Sequence, residues 1–408
     1  MTAQLSSTAT PRHGLGVLLI LSTLMAFASI STDLYLPALP HMAAALRASP
    51  GTVELSISGY LVGFSLGQLL WGPIGDRYGR RLPIAIGLLL FIAGSAGCAL
   101  AGSAPALIGW RVLQAVGACA SVVLARAMVR DLYAGPRAAR MLSTLMTVMA
   151  VAPLLGPSLG GLILRLASWQ AIFWGLVGVG LATLGALSLL PETLPAALRS
   201  REPLSRAVLR YADLLRQRRF LAYAGAGGFF YYAGMFAYIA GSPFAYIEYH
   251  HLSPQLYGLL FATGIVGIML TNQLNARLVE RYGSDRLLRL GCSGAAVAGL
   301  ALAGVTWSDL GGLPALVLAL FLFISCTGFV VANSIAGALA DSPRQAGAVS
   351  ALIGAIQYGS GILGSALVGL CADGTPWPMG WVIALCGTGG MFCVRLLAGA
   401  PTESGLAG

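Results

Sequence analysis

Two ionisable residues of opposite charge, Asp33 and Arg111, lie inside long apolar runs of this sequence. An ionised group surrounded by lipid is costly, so such residues usually face a partner or a water-filled cavity and mark a path for ions or protons. Asp33 is the one acid that we place within an apolar run of the N-terminal half, because Glu54 and Asp131 fall at predicted helix ends. We therefore predict a proton-coupling pair. A proton neutralises Asp33, and the ionised carboxylate can pair with Arg111, which lies at a similar depth.

Each of these two residues also has a simpler interpretation. Asp33 is close enough to the end of its run for interfacial water to satisfy a carboxylate. Arg111 lies about six residues inside its run, so its long side chain can reach the interface instead of a partner. The sequence leaves these alternatives open.

Other reactive side chains form no recognisable catalytic or metal-binding pattern. None of the four His residues lies deep in a predicted helix, and the seven Cys residues include no Cys-x-x-Cys pair, which argues against a metal site and a disulfide framework. The chain has no Lys, so it cannot form the phosphate-binding Gly-Lys-Ser/Thr loop. We predict no enzyme activity, no metal and no cofactor, with a proton gradient as the energy source.

The composition is that of a membrane protein. Hydrophobic residues make up 57% of the chain and charged residues only 9%, against roughly 25% charged residues in an ordinary soluble domain. The apolar runs are continuous and long enough to cross a bilayer as helices, and they lack the alternation of a lipid-exposed β-barrel. We predict an all-α polytopic protein with twelve transmembrane helices, at 14–36, 53–74, 82–101, 105–126, 141–164, 169–190, 220–246, 256–276, 286–306, 313–337, 346–370 and 379–399.

The Arg residues predict the orientation and the domain boundary. Although the net charge is +10, the basic residues lie in alternate short loops, which indicates membrane topology and not nucleic-acid binding. All but three of the 24 basic residues fall on the side that holds both termini, so both termini are predicted to be cytoplasmic. The long polar stretch 191–219 separates an N-terminal six-helix bundle, 1–190, from a C-terminal one, 220–408.

Part of this central loop has helical spacing. Leu204, Val208, Tyr211 and Leu215 fall on one helical face. An amphipathic helix on the membrane surface and a plain solvated tether are both compatible with this pattern.

The two halves contain an internal repeat at an offset of 204 residues, half the length of the chain. The sequence 76–79 after the second apolar run matches 280–283 after the eighth, and Gln68 matches Asn272. Two six-helix halves of equal orientation are expected to be related by an axis along the membrane normal, with a pathway between them.

The loop after the second run reads Gly72-Pro73-Ile74-Gly75-Asp76-Arg77-Tyr78-Gly79-Arg80-Arg81. It resembles the signature loop of the major facilitator superfamily. The resemblance implies a gating loop, with Gly72, Asp76, Arg77, Gly79, Arg80 and Arg81, whose charges latch the inner gate. We expect Gly72 to allow close approach of a neighbouring helix. A positive-inside topology signal alone is the alternative.

Two further patterns extend this resemblance. Arg111 and Gln114, three residues apart on one face, are similar to the superfamily's helix-four motif. The fifth run resembles the helix-five motif that marks antiporters, with Pro153, Gly156, Pro157, Gly160 and Gly161. Its prolines are expected to kink the helix and its glycines to allow tight packing. An ordinary Gly/Pro-rich packing face is the alternative.

The segments 32–40, 190–194, 234–236 and 242–248 narrow the resemblance to the Bcr/CflA subfamily, the bicyclomycin-resistance type of drug:proton antiporter. It implies a monomer in the bacterial cytoplasmic (inner) membrane that exports small amphipathic drug-like molecules by alternating access between two halves. A proton-coupled importer of a small metabolite is the alternative.

Aromatic and amide side chains from several runs are candidates for a substrate cavity. Tyr offers a flat apolar face with one hydroxyl, which suits varied ligands. We predict that the cavity is lined by Tyr60, Gln68, Gln114, Tyr231, Tyr232, Phe236, Tyr238, Asn272, Asn333 and Gln357. About half of the aromatic residues in the seventh run are expected to face lipid or the interface instead.

Overall fold

The computed structural model describes residues 15–133, 135–200, 204–340 and 346–398, and within these ranges it contains helices and no strand. The helices are α1 (Leu15–Asp33), α2 (Leu39–Ala45), α3 (Pro50–Tyr78), α4 (Arg81–Ala99), α5 (Ala104–Leu132), α6 (Gly135–Leu166), α7 (Trp169–Ala186), α8 (Leu204–Leu214), α9 (Arg218–Tyr223), α10 (Tyr231–Pro243), α11 (Pro254–Tyr282), α12 (Ser284–Ser308), α13 (Gly312–Ser325), α14 (Thr327–Ala340), α15 (Ala346–Leu370) and α16 (Trp377–Ala398).

Ten of the described helical segments are long and apolar enough to cross a membrane. Two predicted segments fall outside this count. In α6 the apolar stretch found among the described residues is Val151–Leu166. The seventh segment is divided because two stretches of π-helix, Ala224–Phe230 and Phe244–Tyr249, interrupt the α-helical pattern around α10. The prediction of twelve transmembrane helices is consistent with this arrangement.

Local capping signals set both ends of α3 and α11. Ser49 and Ser253 accept a hydrogen bond from the backbone N–H three residues later, each at 3.2 Å, and a Pro follows each Ser in the first helical turn, as is typical of helix starts. Both helices end at a Gly with positive φ, +91° at Gly79 and +75° at Gly283, a backbone conformation that favours Gly. The repeat therefore extends over the whole of both helices.

Small residues let α3 lie close to α5. A Cβ added at Gly59 would lie 2.9 Å from Ile108 Cγ2, and one at Gly67 would lie 2.7 Å from Cys119 Cβ. Such close approach is how membrane helices gain packing energy. The expectation for Gly72 was wrong, because open space surrounds it. Gly75, which continues the four-residue spacing of this stripe, packs against α5 instead.

The helices form two groups that meet along α3 and α15 and along α6 and α11. We call α1–α7 the N-half and α10–α16 the C-half. The end of the bundle that holds the loops after Tyr78 and Tyr282 is the Arg-rich end, and the end that holds the loops before α3 and α11 is the Arg-poor end.

The central loop forms a helix, as one of the two interpretations of its spacing predicted. The Tyr211 hydroxyl of α8 lies 3.5 Å from the carbonyl oxygen of Leu69, Leu214 is buried, and α8 also packs against α15. This helix therefore packs on both halves at the Arg-rich end. The side chains of Leu204 and Val208 lie outside the described residues.

Candidate functional site

Arg111 lies on α5 in the centre of the N-half and is fully buried. Its Nη1 donates to the carbonyl oxygen of Ser31 at 2.9 Å and to Gln114 Oε1 at 2.5 Å. The Gln114 amide donates in turn to Ser95 Oγ at 2.7 Å. The spacing of three therefore brings Arg111 and Gln114 together, and the alternative of a side chain that reaches the interface was wrong.

The guanidinium of Arg111 is held between two aromatic rings. Its Cζ lies 4.2 Å from the centroid of Tyr35 and 4.3 Å from that of Tyr60, an arrangement that stabilises a cation electrostatically. Nε and Nη2 of Arg111 and the hydroxyl of Tyr60 are buried, and they have no hydrogen-bond partner within the part of the chain that the structure describes. Buried donors of this kind are costly, so they offer a ready site for an acceptor.

Asp33 is the last residue of α1 and is only 5% exposed. One carboxylate oxygen accepts from Thr32 Oγ1 at 3.1 Å. Among the described residues Asp33 forms no ion pair within 4 Å, so its predicted pairing with Arg111 does not occur in this structure. Ser31 and Asp33 are two residues apart on α1 and point to opposite sides of a helix. Arg111 of α5 reaches the backbone at Ser31, whereas Asp33 faces α6.

The antiporter-type string on α6 lies against Asp33. A Cβ at Gly156 would lie 2.8 Å from Asp33 Cβ, and Gly160 lies against the carbonyl group of Leu34. On the other side of α6, a Cβ at Gly161 would lie 3.0 Å from the carbonyl oxygen of Pro254 in the C-half. Pro153 and Pro157 lie inside α6. One short stretch of α6 thus contacts both the buried carboxylate and the opposite half.

An aromatic cluster joins the halves at the crossing of α3 and α15. Phe64 and Tyr358 are in direct contact, with ring centroids 4.2 Å apart. Tyr60 lies behind Phe64 at 6.0 Å, and Tyr232 and Phe236 lie 6.3 and 6.0 Å from Tyr358. These five residues form the aromatic cluster. It holds rings from both halves and reaches Arg111 through Tyr60, whose ring lies against the guanidinium.

Comparison with known proteins identifies the family. Residues 19–365 match the sequence model of the Major Facilitator Superfamily. The chain belongs to the Major Facilitator Superfamily. It is therefore a multi-pass membrane transporter and not an enzyme, as predicted.

Individual superfamily members agree with this assignment. The chain is 28% identical over 370 residues to the bicyclomycin resistance protein homolog of Haemophilus influenzae, covering 90% of this chain and 92% of that one. It is 32% identical over 382 residues to a chloramphenicol resistance protein of Pseudomonas aeruginosa, covering 88% and 85%. The solved structure of the xylose transporter XylE from E. coli, in a partially occluded inward-open conformation, has the same fold, with a TM-score of 0.73, 15% identity and coverage of 96% and 98%. The predicted resemblance to a drug-resistance branch of the superfamily is confirmed.

The superfamily's signature loop forms a charge cluster at the Arg-rich end. Arg80 Nη1 lies 2.7 Å from Asp76 Oδ1, and Arg80 Nε lies 2.8 Å from Asp131 Oδ2. Thr193 donates to the same oxygen of Asp131 at 3.0 Å. Arg77 lies beside the ring of Tyr78. The cluster belongs entirely to the N-half and the central loop, and Asp131 is a member that sequence reasoning had left at a helix end.

Glu192 closes this loop from the central segment. Its carboxylate accepts from the backbone N–H groups of Arg80 at 2.9 Å, of Arg81 at 3.2 Å and of Leu194 at 3.0 Å. Burial alone would raise the pKa of Glu192, but these donors and the charge of Arg199 outweigh it and hold the pKa below its usual range. Sequence reasoning missed this residue, although the segment 190–194 that holds it had been singled out.

The repeat of this loop in the C-half is built differently. The Tyr223 hydroxyl donates to Asp285 Oδ1 at 2.6 Å, and Arg219 Nη2 lies 3.3 Å from the same hydroxyl. Asp285 stands where the N-half has Arg81, so the superfamily's paired Arg is absent here and a tyrosine bridges the charges.

The predicted cavity residues divide into two groups. Tyr60, Tyr232 and Phe236 belong to the aromatic cluster, Gln68 lies 3.0 Å from the position of a Cβ at Gly354 across the interface, and Gln357 is buried beside Tyr358. Gln114 accepts a hydrogen bond from Arg111, next to this cluster.

The other predicted cavity residues belong to the C-half, and three of them contact other C-half residues. The Tyr231 hydroxyl contacts Thr327 Oγ1 at 2.7 Å, and Tyr238 stacks on Phe261 at 5.6 Å. Asn333 donates to Asn275 Oδ1 at 2.6 Å, whereas Asn272 is exposed. In this structure Tyr231 and Asn333 are therefore bonded within the C-half, and the assignment of these four side chains to the substrate cavity stays a prediction. Phe64 and Tyr358 were missed, although Phe64 follows Tyr60 by one helical turn.

Proposed function

We propose that this transporter exports small amphipathic drug-like molecules in exchange for protons, with Asp33 as the proton-binding residue and Arg111 as its positive neighbour. The observation that carries the proposal is the position of Asp33. It is a buried carboxylate against Gly156, and Gly161 of the same helix contacts the other half. A change of charge at Asp33 therefore acts directly on a helix that joins the halves.

The protonation state of Asp33 determines whether its side chain is stable in this buried position. An ionised carboxylate without a partner is strongly disfavoured in a buried site. Among the described residues, only the Thr32 hydroxyl is in hydrogen-bond contact with the Asp33 carboxylate. When it loses its proton, a change of conformation that brings the carboxylate to the unpaired Nε and Nη2 of Arg111 would compensate its charge. Each proton that moves inward down the membrane potential supplies about 2.3 kcal/mol per 100 mV, which is enough to drive export of a neutral compound.

The orientation of the chain in the membrane is inferred from the charge distribution. We assign the Arg-rich end and both termini to the cytoplasm of a bacterial cell, because basic loops are retained inside. The contacts between α6 and α11 at the Arg-poor end then close the outward side. In the cycle, the bundles 1–190 and 220–408 rock against each other about the substrate, while 191–219 connects them, and one chain suffices.

The substrate class follows from the aromatic cluster and the unpaired donors beside it. Flat apolar faces together with Arg and Tyr donors suit uncharged molecules that carry oxygen acceptors. Bicyclomycin and chloramphenicol, after which two relatives are named, are the first compounds to test.

The test is radiolabelled chloramphenicol uptake into inside-out vesicles energised by respiration. We expect accumulation that a protonophore abolishes and that Asp33→Asn eliminates at equal protein abundance. Asp373→Asn is the matched control, because Asp373 is an exposed loop acid bonded only to Thr375. Uptake into right-side-out vesicles instead would support the importer alternative, and full activity of Asp33→Asn would remove Asp33 from the coupling site.

A further inference from the structure

A small cavity of about 50 Å³ lies between the two halves at the Arg-poor end. The N-half contributes Pro50 and Glu54 from the start of α3. The C-half contributes the end of the seventh segment, with Glu248 and Tyr249, and the loop between α15 and α16. The cavity is therefore closed only while the two halves are in contact.

Glu54 is buried in this interface, with 2% of its surface exposed. Gly51 of α3 packs against the carbonyl group of Gly369 on α15, and a Cβ at Gly369 would lie 3.3 Å from Glu54 Cβ. This crossing covers the first turn of α3, which would otherwise face water. Glu54 lies near the start of α3, as predicted, but its Oε2 is buried and has no hydrogen-bond partner among the described residues.

Among the described residues, no positively charged side chain forms an ion pair with Glu54. None of the residues that line the cavity, all within the described part of the chain, is basic. Burial, and His251 beside it, hold the pKa of His250 below its usual range despite Asp309, so this ring is neutral at pH 7. The loop between α15 and α16 holds a further acid, Asp373, which accepts from Thr375 Oγ1 at 2.7 Å. Val368 and Met379, which line the cavity from α15 and α16, have no ionisable group.

A metal ion does not fit this arrangement. Among the described residues, no group of three or more His, Cys, Asp or Glu side chains could hold one. The ligand that suits one buried carboxylate opposite a second, rim-exposed carboxylate is a proton, because two neighbouring acids cannot both ionise cheaply.

We propose that Glu54, facing Glu248 across the interface, is a second proton-binding site that controls closure of the outward gate. The gate closes when Glu54 is protonated and is opened by the ionised, hydrated carboxylate. The inference builds on the proposed export cycle, since it assigns the Arg-poor end to the outside.

This proton differs from the one at Asp33. Glu54 lies at the outward end of α3, and closure of the gate seals it from the cytoplasm. Its proton therefore returns to the side from which it came and moves no charge across the membrane. The site makes gate closure depend on external pH, while the coupling ratio of the transporter is unchanged.

Hydrogen–deuterium exchange of the unmodified protein in lipid nanodiscs, without substrate, tests the proposal. After correction for intrinsic exchange, amides of 53–58 should lose protection as pH rises from 5.5 to 8, by up to tenfold per pH unit for one linked proton. Glu54→Gln should keep high protection throughout this range. Glu248→Gln should reduce the pH-dependent loss of protection, because without the opposing charge an ionised Glu54 is less unfavourable in the closed gate.

Two controls make the outcome specific. Amides of 84–92 in α4, away from the interface, should show the same exchange in all variants, and Asp373→Asn should retain the wild-type pH dependence. Glu54→Gln should also retain drug-driven proton movement, which separates this site from Asp33. A wild-type pH slope in Glu54→Gln, or an equal loss of slope in Asp373→Asn, would overturn the proposal.

Discussion

Replacement of Gly156 by Ala tests whether α6 must lie directly against Asp33. The added Cβ would lie 2.8 Å from Asp33 Cβ, whereas carbon atoms pack at about 3.5–4.0 Å. Either α6 or the end of α1 must therefore move by roughly 1 Å. Overpacking of this kind costs about 1–3 kcal/mol, which exceeds the gain of about 1 kcal/mol that Ala brings over Gly in a helix.

Gly185→Ala is the matched control, because Gly185 lies inside α7 and has no atom within 4 Å of the added Cβ. It obtains the same helical gain without the contact. We expect Gly156→Ala to lower the melting temperature of the detergent-solubilised protein, measured by fluorescence-detected size exclusion, and Gly185→Ala to leave it unchanged or raise it. Drug-induced proton movement in proteoliposomes should fall only in Gly156→Ala. Equal melting temperatures and equal activity in the two variants would refute the close packing of α6 on Asp33.

Three further outcomes follow from the described contacts. Asp131→Ala should lower the free energy of unfolding by about 2 kcal/mol, because it removes a charged hydrogen bond to the largely buried Arg80. Asp213→Ala, which removes an exposed ion pair at 3.8 Å, should change the free energy of unfolding by under about 0.5 kcal/mol. Equal losses in the two variants would contradict this. The pKa of Glu192 is lowered from its ordinary value of 4.5, so its carboxylate stabilises the folded state above that pH, and the stabilisation is lost as pH falls through the lower folded pKa. The melting temperature of wild type should therefore drop more steeply than that of Glu192→Gln below pH about 4.5. Parallel curves would exclude the effect. Tyr358→Ala should abolish saturable chloramphenicol transport, while Tyr231→Phe should transport normally with about 1 kcal/mol less stability; the opposite pattern would assign the cavity to Tyr231.

The sequence by itself determined the features that depend on short stretches of chain. Hydropathy located the membrane segments, and the spacing of Arg111 and Gln114 placed them on one face of α5. The glycine at the end of each copy of the repeated motif, Gly79 and Gly283, ends α3 and α11 at the same relative position. These features are predictable because capping, backbone conformation and neighbouring turns involve residues a few positions apart.

Only the tertiary structure decided which face of each helix meets which neighbour. In a membrane helix the lipid-facing and buried faces are both apolar, so hydropathy does not distinguish them. For this reason the sequence placed Tyr231 in the cavity, although its hydroxyl contacts Thr327 within the C-half. Glu54 changed from a helix-end acid to a buried one because Gly51 meets Gly369, more than 300 residues away in the chain. Such contacts depend on how small residues from distant helices fit together, which no local pattern specifies.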